Sequence, residues 1–345
     1  MIVDLPPSRV WTLEPEDQFE EIRAAKRRVS SAFLPVESEF VDVETPDARH
    51  NLVAVGVGDK LTRGKSTGIL CIRLYVRKKY RLDEIHSKLW LANVLRDVLP
   101  HGVLTDVVEV GLLQHTLRSD DDFPDPTSAS QRARPGCSVS PCGCGETDVP
   151  TGTIGALLGE PAYLLMTCAH VLRSRCREGH AEVYFPGAAD GSGRVIASTE
   201  RLFEAEVGRE NELDIALAEL RETVDPDVMF IGGPRGVGSA ASRMAVHKFG
   251  RSSRYTLGYV DDLDFEGILV DRSWSPVRRI KYIGQISVVG YRGEAFSASG
   301  DSGALVSEAA TNLAVGVLVG GSPETSVVTP IETVLKHVGV PLATG

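Results

Sequence analysis

The stretch Ser299-Gly300-Asp301-Ser302-Gly303-Ala304-Leu305-Val306 sets a serine beside a glycine, with a second glycine two residues before it, just ahead of a strand-like apolar run. Glycine tolerates backbone angles that other residues avoid, so this segment can fold tightly and push the Ser302 hydroxyl into a cleft. In such a turn the N–H groups of Gly300 and Ser302 can point at one spot, where they would stabilise a developing oxyanion. A serine hydroxyl is a weak nucleophile until a base takes its proton. The chain must therefore also supply a histidine and a group that orients it.

Of the eight histidines, His170 has the most informative setting. It ends the apolar run Tyr163-Leu164-Leu165-Met166-Thr167-Cys168-Ala169-His170, where a buried strand breaks into a turn. Taken alone, a histidine there is more often a core or rim residue than a catalyst. Its company changes the reading. Asp214 lies in Glu212-Leu213-Asp214-Ile215-Ala216-Leu217-Ala218, an acid in an otherwise apolar segment. Burying a carboxylate is costly without a partner. A histidine ring N–H would meet that need and would fix the tautomer that leaves the other ring nitrogen free for Ser302. An ordinary edge-strand acid is the competing reading of Asp214.

The Thr-Cys-Ala-His, Asp-Ile-Ala-Leu and Gly-Asp-Ser-Gly segments occur in the order His, Asp, Ser, and in this the chain resembles the trypsin and chymotrypsin-like serine proteases. The resemblance spans residues 136–345. It is nearest the intracellular bacterial and plant group that includes the plant narrow-leaf protein. Arg134-Pro135-Gly136, Thr151-Gly152-Thr153-Ile154-Gly155-Ala156, Gly250-Arg251-Ser252-Ser253 and Thr329-Pro330-Ile331 also look similar to that group. The resemblance implies two packed six-stranded antiparallel β-barrels, about 137–222 and 238–328, with His170, Asp214 and Ser302 in the cleft. It implies a substrate pocket from Phe296, Ser297, Val319, Gly320, Gly321 and Val327. Phe296 offers no carboxylate to a buried cation, so cleavage after small or medium apolar residues is expected, with Glu294 the nearest acid that could restore basic specificity. Val171 follows His170 where secreted relatives carry a cysteine, so that family disulfide is expected to be absent. No activation cleavage site is visible, which leaves the partner of Asp301 open.

Working outward, short strand-like runs with Gly and Pro turns fill residues 136–330, and a helix is expected over Ile331 to His337. Residues 118–135, rich in Asp, Ser, Pro and Arg, read as a linker. Upstream, Phe19, Ile22, Ala25, Val29 and Phe33 are spaced as one face of a helix within residues 1–50. Strands over 51–58 and 68–76, a helix over 83–99 and a strand over 107–110 suggest a small α+β domain at 51–117. The fold class is thus mainly β with a C-terminal helix, preceded by an α+β domain.

The formal charge of -10 argues against a nucleic-acid binder working through a basic surface. No apolar run approaches membrane-spanning length and no secretory leader is evident, so a cytoplasmic protein without a membrane partner is expected. Its six cysteines should then be thiols. Cys137, Cys142 and Cys144, with Cys168 or Cys176, offer an alternative as a zinc site of unfamiliar spacing. No cofactor is expected otherwise. The partners anticipated are a protein or peptide substrate and a regulatory or sensor protein at the N-terminal domain. The alternative function is a catalytically silent or partner-activated peptide-binding module using the same cleft.

Overall fold

The computed structural model describes residues 15–36, 45–62, 65–81, 89, 91–100, 102–111, 113, 123–141, 149–161, 163–173, 182–271 and 276–344. Of the helix expected over 83–99, residues 83–88 and 90 lie outside them and the described part is α-helical only over Leu91–Val94; the start of the linker and Cys142, Cys144 and Cys176 also lie outside. The chain forms two compact units, Met1–Leu113 with Val207–Glu210 and Asp262–Gly284, and Gln114–Glu206 with Asn211–Asp261 and Gln285–Gly345.

In the first unit, α1 (Pro15–Phe33) buries Ile22, Ala25, Val29 and Phe33, the face that the spacing of threes and fours predicts. After a short α2 (Ala48–Asn51), capped by Asp47, strand β1 (Leu52–Thr62) pairs antiparallel with β2 (Lys65–Val76). Beyond the short α3 (Leu91–Val94), β3 (Thr105–Glu109) adds parallel to β2. The other edge of β1 pairs with residues 266–267, so a segment far along the sequence completes this sheet. That segment is acidic and buried. Asp262 accepts from the Val57 N–H at 2.6 Å and the Tyr75 hydroxyl at 2.7 Å, while Lys26 lies 3.0 Å from Asp264 and 2.9 Å from Glu266.

The second unit holds two barrels. The first uses β4 (Ser138–Pro141), β5 (Gly152–Thr153), β6 (Ala156–Leu158), β7 (Leu164–Thr167), β8 (Glu182–Phe185) and β9 (Arg194–Phe203), and after β10 (Glu210–Asn211) also β11 (Ile215–Leu220). Its order is β5-β4-β8-β9-β11-β7-β6. Because β5 and β6 are two halves of one run, residues 152–158, the sheet returns on itself as a six-stranded barrel. A short α4 (Ala169–Leu172) follows β7.

The second barrel is built from β12 (Ala245–Gly250), β13 (Arg254–Asp271), β14 (Arg278–Gly290), β15 (Leu305–Glu308), β16 (Ala314–Gly321) and β17 (Ser326–Pro330). The order β14-β17-β16-β15-β12-β13, with β13 also paired to β14, closes the ring. The terminal helix α5 (Ile331–Val338) buries Ile331, Val334 and Val338 in the same core as Leu165, Leu217 and Val317. This is the mainly β, double-barrel architecture with a C-terminal helix that the sequence predicts. Among the described residues no helix is long and apolar enough to cross a membrane.

Candidate active site

Strand register brings His170 and Asp214 together. β7 and β11 are antiparallel with Thr167 opposite Ala216, and continuing that register by two residues sets Ala169 opposite Asp214. The Ala169 N–H accordingly donates to the Asp214 carbonyl at 3.1 Å. The chain then turns into α4, and both Asp214 carboxylate oxygens are engaged by the next residue. Oδ1 accepts from the His170 backbone N–H at 3.2 Å, and Oδ2 makes a very short contact with His170 Nδ1. The Asp214 side chain is 2% exposed and that of His170 18%, so the acid is sealed behind the ring while the ring reaches the surface.

Ser302 sits on a turn in which Gly300 and Gly303 adopt φ of +92° and +97°, angles that other L residues rarely adopt. The turn is clamped from the first barrel by Thr153. Its N–H donates to the Ser302 carbonyl at 2.9 Å and its hydroxyl to the Gly300 carbonyl at 2.7 Å, while its own carbonyl accepts from the Thr167 hydroxyl at 2.7 Å. Such close approach requires bare backbone. A Cβ at Gly152 would lie 2.9 Å from the Ser302 carbonyl oxygen, and one at Gly155 only 2.1 Å from that of Gly303. The N–H groups of Gly300 and Ser302 donate to no group among the described residues. The Ser302 hydroxyl donates to the Val319 carbonyl at 2.9 Å.

Asp301 has no exposed surface, and its partner is internal. Lys248 Nζ, equally buried, lies 3.1 Å from Oδ2 and also donates to Ser253 Oγ at 2.6 Å and the Arg254 carbonyl at 3.4 Å. An ammonium has three protons, and all three have acceptors here. Burial pulls the Lys248 ammonium below its ordinary pKa, against the opposing charge of Asp301. Asp301 also accepts from the Ser252 and Ser253 N–H groups (2.8 and 3.1 Å), the Ser253 hydroxyl and the Ala298 N–H (2.8 Å). Sequence reading missed both Lys248 and Thr153, although each lies in or beside a segment quoted above.

The residues expected to line a pocket are all buried. Gly320 and Gly321 on β16 face Val327 and Ser326 on β17, and Ser326 Oγ is 2.7 Å from Ser297 Oγ, which ties Ser297 to β17. The Phe296 ring packs against Gly258, where a Cβ would meet Cδ2 at 2.7 Å, and lies 5.8 Å from Lys248 Nζ. Glu294 is exposed.

Cys137 and Cys168 are buried free thiols. Burial pushes the Cys137 thiol up to about 11, and burial reinforced by the Asp214 charge holds Cys168 well above the ordinary range. Cys168 Sγ donates to the Leu318 carbonyl at 3.2 Å, and its sulfur, a His170 nitrogen and an Asp214 oxygen all lie within 4.8 Å of one another. This is the set of metal-ligating atoms found among the described residues, although Asp214 Oδ2 is already committed to the ring.

No family model matches the chain, and no curated protein matches it. Among solved structures it is similar to Thermobifida fusca Protease A, with 18% identity and a TM-score of 0.42 over 62% of this chain and 100% of that one. It is similar to Cellulomonas bogoriensis chymotrypsin, with 18% identity and a TM-score of 0.42 over 62% and 99%. It is also similar to the Nocardiopsis protease NAPase, with 17% identity and a TM-score of 0.43 over 61% and 100%.

Proposed function

We propose that this chain is a serine endopeptidase in which Ser302 is the nucleophile, His170 the general base and then general acid, and Asp214 the group that orients the imidazole. The observation that carries the reading is the two-point grip of buried Asp214 on His170. With Nδ1 and the backbone N–H both held by one carboxylate, the ring is fixed in the orientation in which Nε2 serves as the proton-exchanging nitrogen. Ser302 Oγ turns from the Val319 carbonyl toward Nε2 as substrate binds, gives up its proton and attacks the scissile carbonyl. The oxyanion so formed is met by the N–H groups of Gly300 and Ser302. His170 then protonates the leaving amine, and water resolves the acyl-enzyme by the same steps.

For the residue before the scissile bond we propose a small or medium apolar side chain. Val319, Val327 and the bare backbone of Gly320 and Gly321 favour it, and Phe296 offers no carboxylate there. A peptide-library profile dominated by Arg or Lys would reject this. A cytoplasmic setting is proposed on the buried free thiols Cys71, Cys137 and Cys168. The N-terminal unit is proposed to serve a regulatory or sensor partner.

The test is labelling by a fluorophosphonate, which reports an activated serine. Wild type should be labelled, and Ser302→Ala and His170→Ala should not. Labelling that persists in His170→Ala would refute the base assignment. One observation favours a second reading, that of a peptide-binding module or partner-activated enzyme. It is the bond from the Ser302 hydroxyl to Val319, which keeps the hydroxyl occupied. Folded wild-type protein that resists the probe would select it.

A further inference from the structure

Asp190 ends a short helical turn between β8 and β9 of the first barrel, and Arg251 lies in the turn between β12 and β13 of the second. The guanidinium meets the carboxylate as a fork, Nε to Oδ2 at 2.6 Å and Nη2 to Oδ1 at 2.5 Å. Their side chains are 17% and 10% exposed. Oδ2 also accepts from the Ser138 hydroxyl, whose oxygen in turn takes the Gly187 N–H at 3.0 Å. A planar fork on a carboxylate fixes direction as well as distance, which a lysine cannot do.

What Arg251 touches next gives the pair its significance. Its backbone N–H donates to Thr153 Oγ1 at 2.9 Å, the hydroxyl that holds the Gly300 carbonyl. Its Nη1 donates to Ser252 Oγ at 3.2 Å, and the Ser252 N–H holds Asp301. The guanidinium also covers the open side of Gly300, where an added Cβ would lie 2.5 Å from Nη1. Arg251 thus borders the residues on both sides of the oxyanion turn, and the first barrel fixes Arg251 through Asp190.

We propose that the Asp190–Arg251 pair is a positioning clasp that sets the direction of the Gly300 and Ser302 N–H groups. The proposal rests on the serine-nucleophile reading. Neither residue lies in the line of proton transfer from Ser302 to His170 and Asp214. Loosening the clasp therefore slows attack on the carbonyl without weakening ground-state binding. Removing an oxyanion donor outright costs on the order of 10²–10³ in kcat, and a misaimed donor should cost about tenfold.

The test uses the full chain and two variants that keep side-chain size, Asp190→Asn and Arg251→Lys. Readouts are the second-order rate of fluorophosphonate labelling, kcat and KM on a peptide substrate, and inhibition by a peptidyl trifluoromethyl ketone, which places an oxyanion in the site. Labelling rate and kcat should fall about tenfold in both variants, ketone affinity should fall in parallel, and KM should stay within about twofold. The exchanged double variant Asp190→Arg with Arg251→Asp should recover part of the labelling rate, which shows that the two groups act as a pair, and the rate per folded molecule separates positioning from a merely structural role. Unchanged rates in both single variants, or a fall that tracks only a smaller fraction of folded protein, would overturn the clasp while leaving the nucleophile assignment intact. A folded wild type that takes no label would remove both.

Discussion

Replacing Lys248 by Met removes one charge from a pair in which neither partner has exposed surface, and leaves a side chain of similar length. The Asp301 carboxylate then stays buried without a counter-ion, a change that costs about 3–5 kcal/mol at buried pairs. Asp301 keeps its bonds from Ser252 N, Ser253 N, Ser253 Oγ and Ala298 N, so the lower end, about 3 kcal/mol, is expected. In a unit of about 200 residues that lowers Tm by roughly 6–12 °C. Adding Asp301→Asn neutralises the stranded charge and should return about 1–2 kcal/mol. Thermal and urea unfolding of wild type, both single variants and the double variant complete the cycle. A loss below about 1 kcal/mol in Lys248→Met, or a double variant no more stable than that single, would refute the ion pair as the support of the Ser302 turn.

Asp214→Asn should fold normally and lose about 10⁴-fold in kcat, because an amide favours the wrong imidazole tautomer. Activity within tenfold of wild type would count against the proposed orienting role. Cys137 and Cys168 should react with dithiobis(nitrobenzoate) at pH 8 only after denaturation, and prompt native-state titration of either would contradict their burial. Since the folded thiols hold their protons above the ordinary 9.0, they leave stability unchanged below that pH and lower it as pH rises beyond, where only the unfolded chain ionises. Melts at pH 8 and 10 on wild type and Cys137→Ala measure this. Burial pushes the Asp264 carboxyl up, but Lys26 and Arg23 more than offset it and hold it below 3.8. Its stabilisation is therefore full above that pH and lost as pH falls through the folded value, and acid unfolding of Asp264→Asn should lack this component.

What the sequence disclosed were the features that carry a local signature. The helical spacing from Phe19 to Phe33, the alternation of short strands and turns, and the glycines around Ser302 each follow from backbone geometry within a few residues. Lys248 carries no such signature. In Ala245-Val246-His247-Lys248-Phe249-Gly250 a lysine reads as an exposed strand residue, and its burial is set by a carboxylate distant in sequence. Asp262, Asp264 and Glu266 carry no such signature either, because the groups that engage them, Tyr75, Val57, Lys26 and Arg23, come from far earlier in the chain. Nor could the resemblance that implies Phe296 in the pocket reveal that its ring turns toward Gly258 and Lys248, because ring direction depends on a neighbouring strand.

Thr153 grips the Ser302 turn from a strand made long before that turn, and Pro341 and Ala343 hydrogen-bond Gly159 and Leu157 at the end of β6. A ribosome delivers His170 and Asp214 while these partners do not yet exist, and domains generally fold as units during synthesis. Between the emergence of Asp214 and that of Ser302, the nascent polypeptide therefore carries the His170–Asp214 pair without the Ser302 turn. The Thr153 grip on that turn closes only when the late-emerging segment docks back onto the first barrel. Under the proposed function, a chain interrupted before Ser302 holds the base and its orienting acid with no nucleophile for them to activate.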